Sequence, residues 1–164
     1  MTGSPRWLLV NVVLAVQEAT IAEHGGAAGL RDRGLLDSTL ARPRNLLAYA
    51  ENASEFDLAA CYACGLARNH CFVDGNKRIA LAAALTFLDL HGWRLEASRE
   101  DRIQTFLRLA AGEISEAELS QWLRASSREV PSDERSSPRS SAAGASPRGP
   151  RRTDPPAPRP GGEA

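Results

Sequence analysis

The sequence predicts an all-α fold: a bundle of about six helices around a central buried helix, with little or no sheet. Apolar residues recur at helical spacing through most of residues 8 to 125, the signature of helices that bury one face. Short polar residues suited to capping, Asp32, Ser54, Ser98 and Ser115, stand ahead of four of those periods. The run Ile79 to Leu90 is almost wholly apolar, which marks a helix enclosed on most sides.

The first helix is expected over about Asn11 to His24, with Gly25-Gly26 as its C-cap and Val13, Leu14, Val16, Gln17 and Ile21 on its core face. The apolar run from Trp7 to Val16 follows Arg6 and could be taken for a signal-peptide core. Asn11 interrupts it, no small-residue cleavage site follows, and it is too short to span a bilayer. Asp32 is placed to cap a second helix, Gly34 to Arg42, which Pro43 stops, and residues 44 to 54 read as a loop with one helical turn at most. Ser54 caps a third helix, Glu55 to Arg68, with Phe56, Leu58, Ala59, Tyr62, Ala63 and Leu66 facing inward. The fourth runs from Asn76 to Leu90 as the pillar of the domain and ends at His91-Gly92; His91, like His24 beside Gly25, suits a C-terminal cap. Trp93 to Glu96 alternates like a short extended segment. Capping-box patterns at Ser98 to Asp101 and Ser115 to Glu118 open helices of about Arg99 to Ala111 and Glu116 to Ala125.

The 164 residues, 43% of them apolar, allow one domain with a core of ordinary size, assigned to residues 1–127. From residue 128 to 164 the composition turns to Ser, Pro, Arg, Gly and Ala without an apolar period, so a disordered tail is expected. Net charge is zero, which gives no reason to expect nucleic acid as an obligatory partner, and no stretch suggests a membrane span. Cys61, Cys64 and Cys71, with His70 nearby, invite a zinc reading; two cysteines three apart on a helix serve equally well as small buried residues. Unpaired thiols favour a reducing cytoplasm.

One stretch does not fit a purely structural account. Between two segments that read as buried helix lies Asn69-His70-Cys71-Phe72-Val73-Asp74-Gly75-Asn76-Lys77-Arg78, and Lys77 is the single lysine among nineteen arginines. Asp74, Gly75 and Asn76 form a loop and helix start, so backbone amides and the positive end of a helix dipole point outward there, a cradle for phosphate. Lys77 and Arg78 add fixed cations at its rim, and Asp74 offers a hard oxygen for Mg²⁺, which binds through one or two carboxylates plus substrate phosphates. His70, with a side chain that exchanges protons near neutrality, suits the task of taking a proton from an attacking hydroxyl. A base, a metal ligand, an anion hole and cationic clamps make up most of a phosphoryl or nucleotidyl transfer site.

The segment His70 to Arg78 resembles the Fic/Doc signature, His-x-Phe-x-Asp/Glu-Gly/Ala-Asn-Gly/Lys-Arg. The lysine after the asparagine resembles the death-on-curing (Doc) branch, toxins of type II toxin-antitoxin systems. Gly25-Gly26, the stretch Gly29 to Leu36, Ala41-Arg42-Pro43, Ala67-Arg68-Asn69 and Gly112-Glu113-Ile114-Ser115 look like that branch too, so the resemblance covers roughly residues 8 to 125. It implies a catalytic His70, a metal-binding Asp74, an anion hole at the backbone of Gly75 and Asn76, phosphate-binding Lys77 and Arg78, and Phe72 as a buried anchor. It further implies a protein kinase that binds ATP with Mg²⁺ and passes the γ-phosphoryl group to a Thr or Ser hydroxyl of a translation factor, elongation factor Tu, halting translation in the cytoplasm.

Three departures bear on this. Fic adenylyltransferases carry a second arginine where Leu81 stands, so adenylylation is the alternative reading and lacks that clamp. Ala82 replaces an asparagine of Doc toxins and Gln17 a histidine of related toxins, which keeps open a third reading, a degenerate, non-catalytic binding module. No internal inhibitory Ser/Thr-x-x-x-Glu-Gly/Asn string is found, and control is expected in trans from a cognate antitoxin. The loop upstream of the third helix is, by analogy with Fic folds, the segment that would position the target protein.

Overall fold

The computed structural model describes residues 3–135. The chain runs through α1 (Val10–His24), α2 (Arg33–Tyr49), α3 (Glu55–Asn69), α4 (Asn76–Leu90), β1 (Trp93–Leu95), α5 (Arg99–Ala110), α6 (Glu116–Ser126), β2 (Ser127–Glu129) and α7 (Ser132–Arg135). The all-α class and the helix starts agree with the sequence. The side chains of Asp32, Ser54, Ser98 and Ser115 accept the backbone N–H of Leu35, Asp57, Asp101 and Glu118, each taking up an amide that the first turn leaves without a partner. The boxes at Ser54 and Ser115 are reciprocal, with Asp57 and Glu118 bonding back to the cap N–H, whereas Ser98 caps in one direction.

The most enclosed helix is α3. Every residue from Phe56 to Ala67 except Asp57 is buried, and α2, α4, α5 and α6 all pack on it. Its small residues allow that: a Cβ on Gly65 would stand 2.7 Å from Thr39 Cγ2 of α2, so the crossing exists only because glycine is there. The pillar expected of α4 is thus shared. It makes the most extensive contact with α3 and buries Ile79, Ala80, Ala83, Ala84, Phe87 and Leu88, while Lys77, Arg78, Asp89 and Leu90 stay exposed at its two ends.

The segment Trp7 to Val16 belongs to the domain: Leu8 and Val13 are buried, and the Leu8 N–H donates to the Tyr62 hydroxyl at 3.1 Å. No helix among the described residues is long and apolar enough to cross a membrane.

Two sequence expectations fail. The second helix does not stop at Pro43 but continues to Tyr49, so residues 44 to 49 are helix rather than loop. Proline inside a helix deletes one hydrogen bond and costs ~3 kcal/mol, but Pro43 and Leu40 are buried and Leu46 and Leu47 pack against the core, so burial outweighs the loss. The domain also does not end at 127. Strand β2 pairs antiparallel with β1, Trp93 opposite Glu129 and Leu95 opposite Ser127, and the Val130 N–H donates to the Gly92 carbonyl at 2.7 Å with Val130 itself buried. That stretch has no apolar period because a single side chain, Val130, carries the burial and main-chain bonds do the rest. The expected disorder of residues 136–164 lies outside the described residues.

Candidate active site

The polar turn joins the C-terminus of α3 to the N-terminus of α4. Its backbone is anchored before any side chain is considered. The Leu30–Phe72 bridge, the Val73 N–H to the Gly29 carbonyl (3.1 Å), and the N–H groups of Arg31 and Asp32 to the Cys71 carbonyl (2.8 and 3.1 Å) hold it against the segment between α1 and α2. Phe72 and Cys71 are buried beneath it, so the expected anchor role of Phe72 agrees with its position.

His70 is the C-cap of α3 and the only non-glycine residue with positive φ among the described residues, at φ 49° and ψ 51°. This left-handed conformation is disfavoured for a side-chain-bearing residue, and such outliers collect at functional sites. The turn lifts His70 out of the helix, and the residue is exposed while its neighbours Cys71 and Phe72 point inward. Its carbonyl accepts a 2.7 Å bond from Arg31 Nε, and the Asn69 carbonyl accepts one from Arg31 Nη2 at 3.3 Å. Asn69 in turn donates to Thr39 Oγ1 at 2.8 Å.

At the other end of the turn, Gly75 caps α4 with φ 77°. A Cβ there would meet Ile21 Cδ1 at 3.6 Å, an ordinary contact, so glycine is required by backbone conformation rather than by space. The Gly75 N–H, expected as an anion-hole donor, donates to Asp74 Oδ1 at 2.7 Å. The Asn76 side chain is also engaged, accepting from the Phe72 N–H at 3.1 Å and donating to the Phe72 carbonyl at 3.0 Å, and it is buried. What remains for an anion is the first turn of α4. No described group accepts the backbone N–H of Asn76, Lys77 or Arg78, and no side chain caps the helix. Three amides at the positive end of a helix of 15 residues could accommodate a phosphate, one residue on from the expected pair. Lys77 and Arg78 are exposed beside it, with no hydrogen bond or ion pair among the described residues.

Asp74 is exposed, and its second oxygen accepts the Ala27 N–H at 3.3 Å. Gly26 is packed so closely that a Cβ would lie 2.6 Å from Asp74 Oδ2, which ties the loop after α1 to this carboxylate. Backbone bonds orient Asp74 and leave lone pairs for a cation. No group of three or more His, Cys, Asp or Glu side chains that could hold a metal occurs among the described residues. The donor set therefore fits Mg²⁺ brought in with phosphates, to which the protein adds one carboxylate, and not a site complete by itself.

The zinc alternative finds no support. Cys61, Cys64 and Cys71 are all buried, burial pushes the Cys61 thiol up to about 12 and raises the other two, and the three belong to no group of three or more His, Cys, Asp or Glu side chains that could hold a metal among the described residues. Arg68 donates to the carbonyls of Leu109 and Ile114 at 3.3 and 2.9 Å, binding α3 to the end of α5 and the connection that follows it. Of the three departures, Gln17 is buried with its Nε2 unpartnered, and Ala82 lines a groove of about 630 Å³ between α1, α4 and α5. Lys77, Arg78 and Leu81 open onto the same groove.

The contacts that Arg31, Gly26 and the Asn76 side chain make were not legible in the sequence. Arg31, which reads locally as a helix-start or ion-pair residue, sits 39 positions before its partner, a separation that no local pattern encodes.

Comparison with known proteins points to one family. The model of the Fic/DOC family matches residues 7–88, which covers α1 to α3, the whole turn and all but the end of α4. The chain is 36% identical over 112 residues to "Protein kinase doc" of Escherichia phage P1, covering 68% of this chain and 88% of that protein. It is 49% identical over 75 residues to "Toxin Doc" of Mycolicibacterium smegmatis, covering 44% of this chain and 57% of that relative.

Proposed function

The chain belongs to the Fic/DOC family, and on that premise we propose that it is a Doc-type toxin, a protein kinase that transfers the γ-phosphoryl group of ATP to a Thr or Ser hydroxyl of a translation factor, with elongation factor Tu as the target. The observation that carries the proposal is the pairing, on one short turn, of a left-handed exposed His70 with the uncapped first turn of α4 flanked by Lys77 and Arg78. The name of the phage relative supports the kinase reaction.

In this reading the phosphates rest on the N–H groups of Asn76, Lys77 and Arg78, with the two side chains neutralising oxygens at the rim. Mg²⁺, when bound with the nucleotide at Asp74, offsets phosphate charge. His70 accepts the proton of the protein hydroxyl as its oxygen bonds to the γ-phosphorus. The bond from that phosphorus to the bridging oxygen breaks, and ADP leaves. The alternative, adenylylation, is disfavoured by the apolar Leu81 in the groove where a second arginine clamp would be needed.

Control in trans by a cognate antitoxin is the second part of the proposal. The α1–α4–α5 groove exposes Ile103 and Leu107, and Lys77, Arg78, Arg99 and Arg102 line it, which suits an acidic amphipathic segment. Three buried thiols without disulfides are consistent with a reducing cytoplasm.

Purified chain is offered lysate or purified elongation factor Tu with ATP labelled at the α or the γ position. Label reaching protein from the γ position, and lost in His70→Ala, supports the proposal; label from the α position makes the protein an adenylyltransferase, and no label from either favours the degenerate module. Expression with and without the neighbouring open reading frame tests the antitoxin, and equal toxicity in both cases counts against it.

A further inference from the structure

The end of α3 presents two problems that one side chain answers. A helix of 15 residues leaves its last carbonyls without intrahelical donors and gathers the negative end of its dipole there. The chain then turns through a left-handed residue, a conformation normally given to glycine, and here the residue is the exposed His70. Arg31 meets both conditions. Its Nε donates to the His70 carbonyl at 2.7 Å and its Nη2 to the Asn69 carbonyl at 3.3 Å, so a planar fork grips two consecutive carbonyls and places a fixed cation at the dipole's negative end.

We propose that Arg31 is a positioning residue for His70: through the Asn69 and His70 carbonyls, its guanidinium holds the left-handed turn that carries the imidazole out to the reacting hydroxyl. The inference deepens the proposed function and rests on His70 as the base.

The rest of the turn has its own support. The Cys71 carbonyl is held by main-chain N–H groups of Arg31 and Asp32, Val73 by Gly29, and Phe72 by Asn76, none of which involves the Arg31 side chain. Arg31 is also exposed, so truncating it opens no core cavity. Truncation therefore releases the carbonyls of residues 69 and 70 alone, and a folded variant with a misdirected His70 is the result. Misplacing a catalytic group by about 1 Å costs on the order of 10²-fold. Lysine supplies a cation and a single-point donor, without the fork.

The test measures Arg31→Ala and Arg31→Lys for kcat, KM for ATP, and the imidazole resonances. With three histidines in the chain, His70 is assigned by comparison with His70→Ala. Expected are a kcat lower by roughly 10²-fold in Arg31→Ala with an ATP KM within about twofold, partial recovery in Arg31→Lys, and a shifted or broadened His70 signal while His24 and His91 stay in place. An unmoved His70 signal in Arg31→Ala, whatever happens to melting temperature or rate, overturns the inference. So does an unchanged kcat when His70→Ala is inactive. If His70→Ala still transfers label, the base assignment falls, and the resonances alone then decide whether Arg31 holds His70.

Discussion

Asn76 and Phe72 bond to each other in both directions: the carboxamide oxygen takes the Phe72 N–H and the carboxamide nitrogen gives to the Phe72 carbonyl, at 3.1 and 3.0 Å, out of contact with solvent. Asn76 thus contributes to the site by closing the loop between His70 and α4, its side chain facing the protein and only its N–H left for phosphate. Asn76→Asp keeps the size but sets a carboxylate oxygen against the Phe72 carbonyl. The expected outcome is a loss of about 1–3 kcal/mol in urea unfolding, faster exchange of the Phe72 amide, and little residual transfer.

His70 should separate stability from activity. His70→Gly removes the side chain and accepts φ 49° without strain, so it should match or exceed the wild type in stability by up to about 1 kcal/mol while label transfer is lost. His70→Ala loses transfer equally without the conformational relief. Thermal melts beside the labelling assay check both.

Gly25 and Gly26 share a positive φ, 77° and 113°, but only the second is crowded. Alanine at either costs about 1–2 kcal/mol from the backbone. At Gly26 the new Cβ must also displace the Asp74 carboxylate, 2.6 Å away, and break its bond from Ala27. Gly26→Ala should therefore raise the Mg²⁺ concentration needed for half-maximal transfer severalfold, and Gly25→Ala should not.

Acid should loosen the α3–α6 contact. Burial opposes ionisation of Asp57, but hydrogen bonds from Ser120 and from the Ser54 N–H and hydroxyl outweigh it and hold the carboxyl below its ordinary range. A carboxyl depressed on folding contributes stability above its unfolded pKa and forfeits it as pH falls through the folded one. Urea midpoints should fall on acidification below the ordinary carboxylate range, and Asp57→Asn should be less stable near neutrality and flatter across that range.

The thiols should be inert in the native state. With all three buried and Cys61 pushed up to about 12, a thiol reagent at neutral pH should react at the rate of unfolding, and added Zn²⁺ should leave the melting temperature unchanged.

Local chemistry in the chain determined a great deal by itself. Capping residues fixed the starts of α2, α3, α5 and α6 because a cap bonds within three residues of its own position. The run His70 to Arg78 announced its chemistry because the base, the carboxylate and the cations lie on nine consecutive residues. Only the tertiary structure decided the rest, since those interactions cross long separations. Pro43 stays helical because the core holds the turn after it; β2 exists because β1 lies 34 residues upstream to pair with it. Likewise Arg31 reaches His70, and Gly26 reaches Asp74, only after α1, α2 and α3 have packed. Sequence spells out bonds that neighbours make, whereas a donor and acceptor forty residues apart meet only where the burial of other side chains brings them.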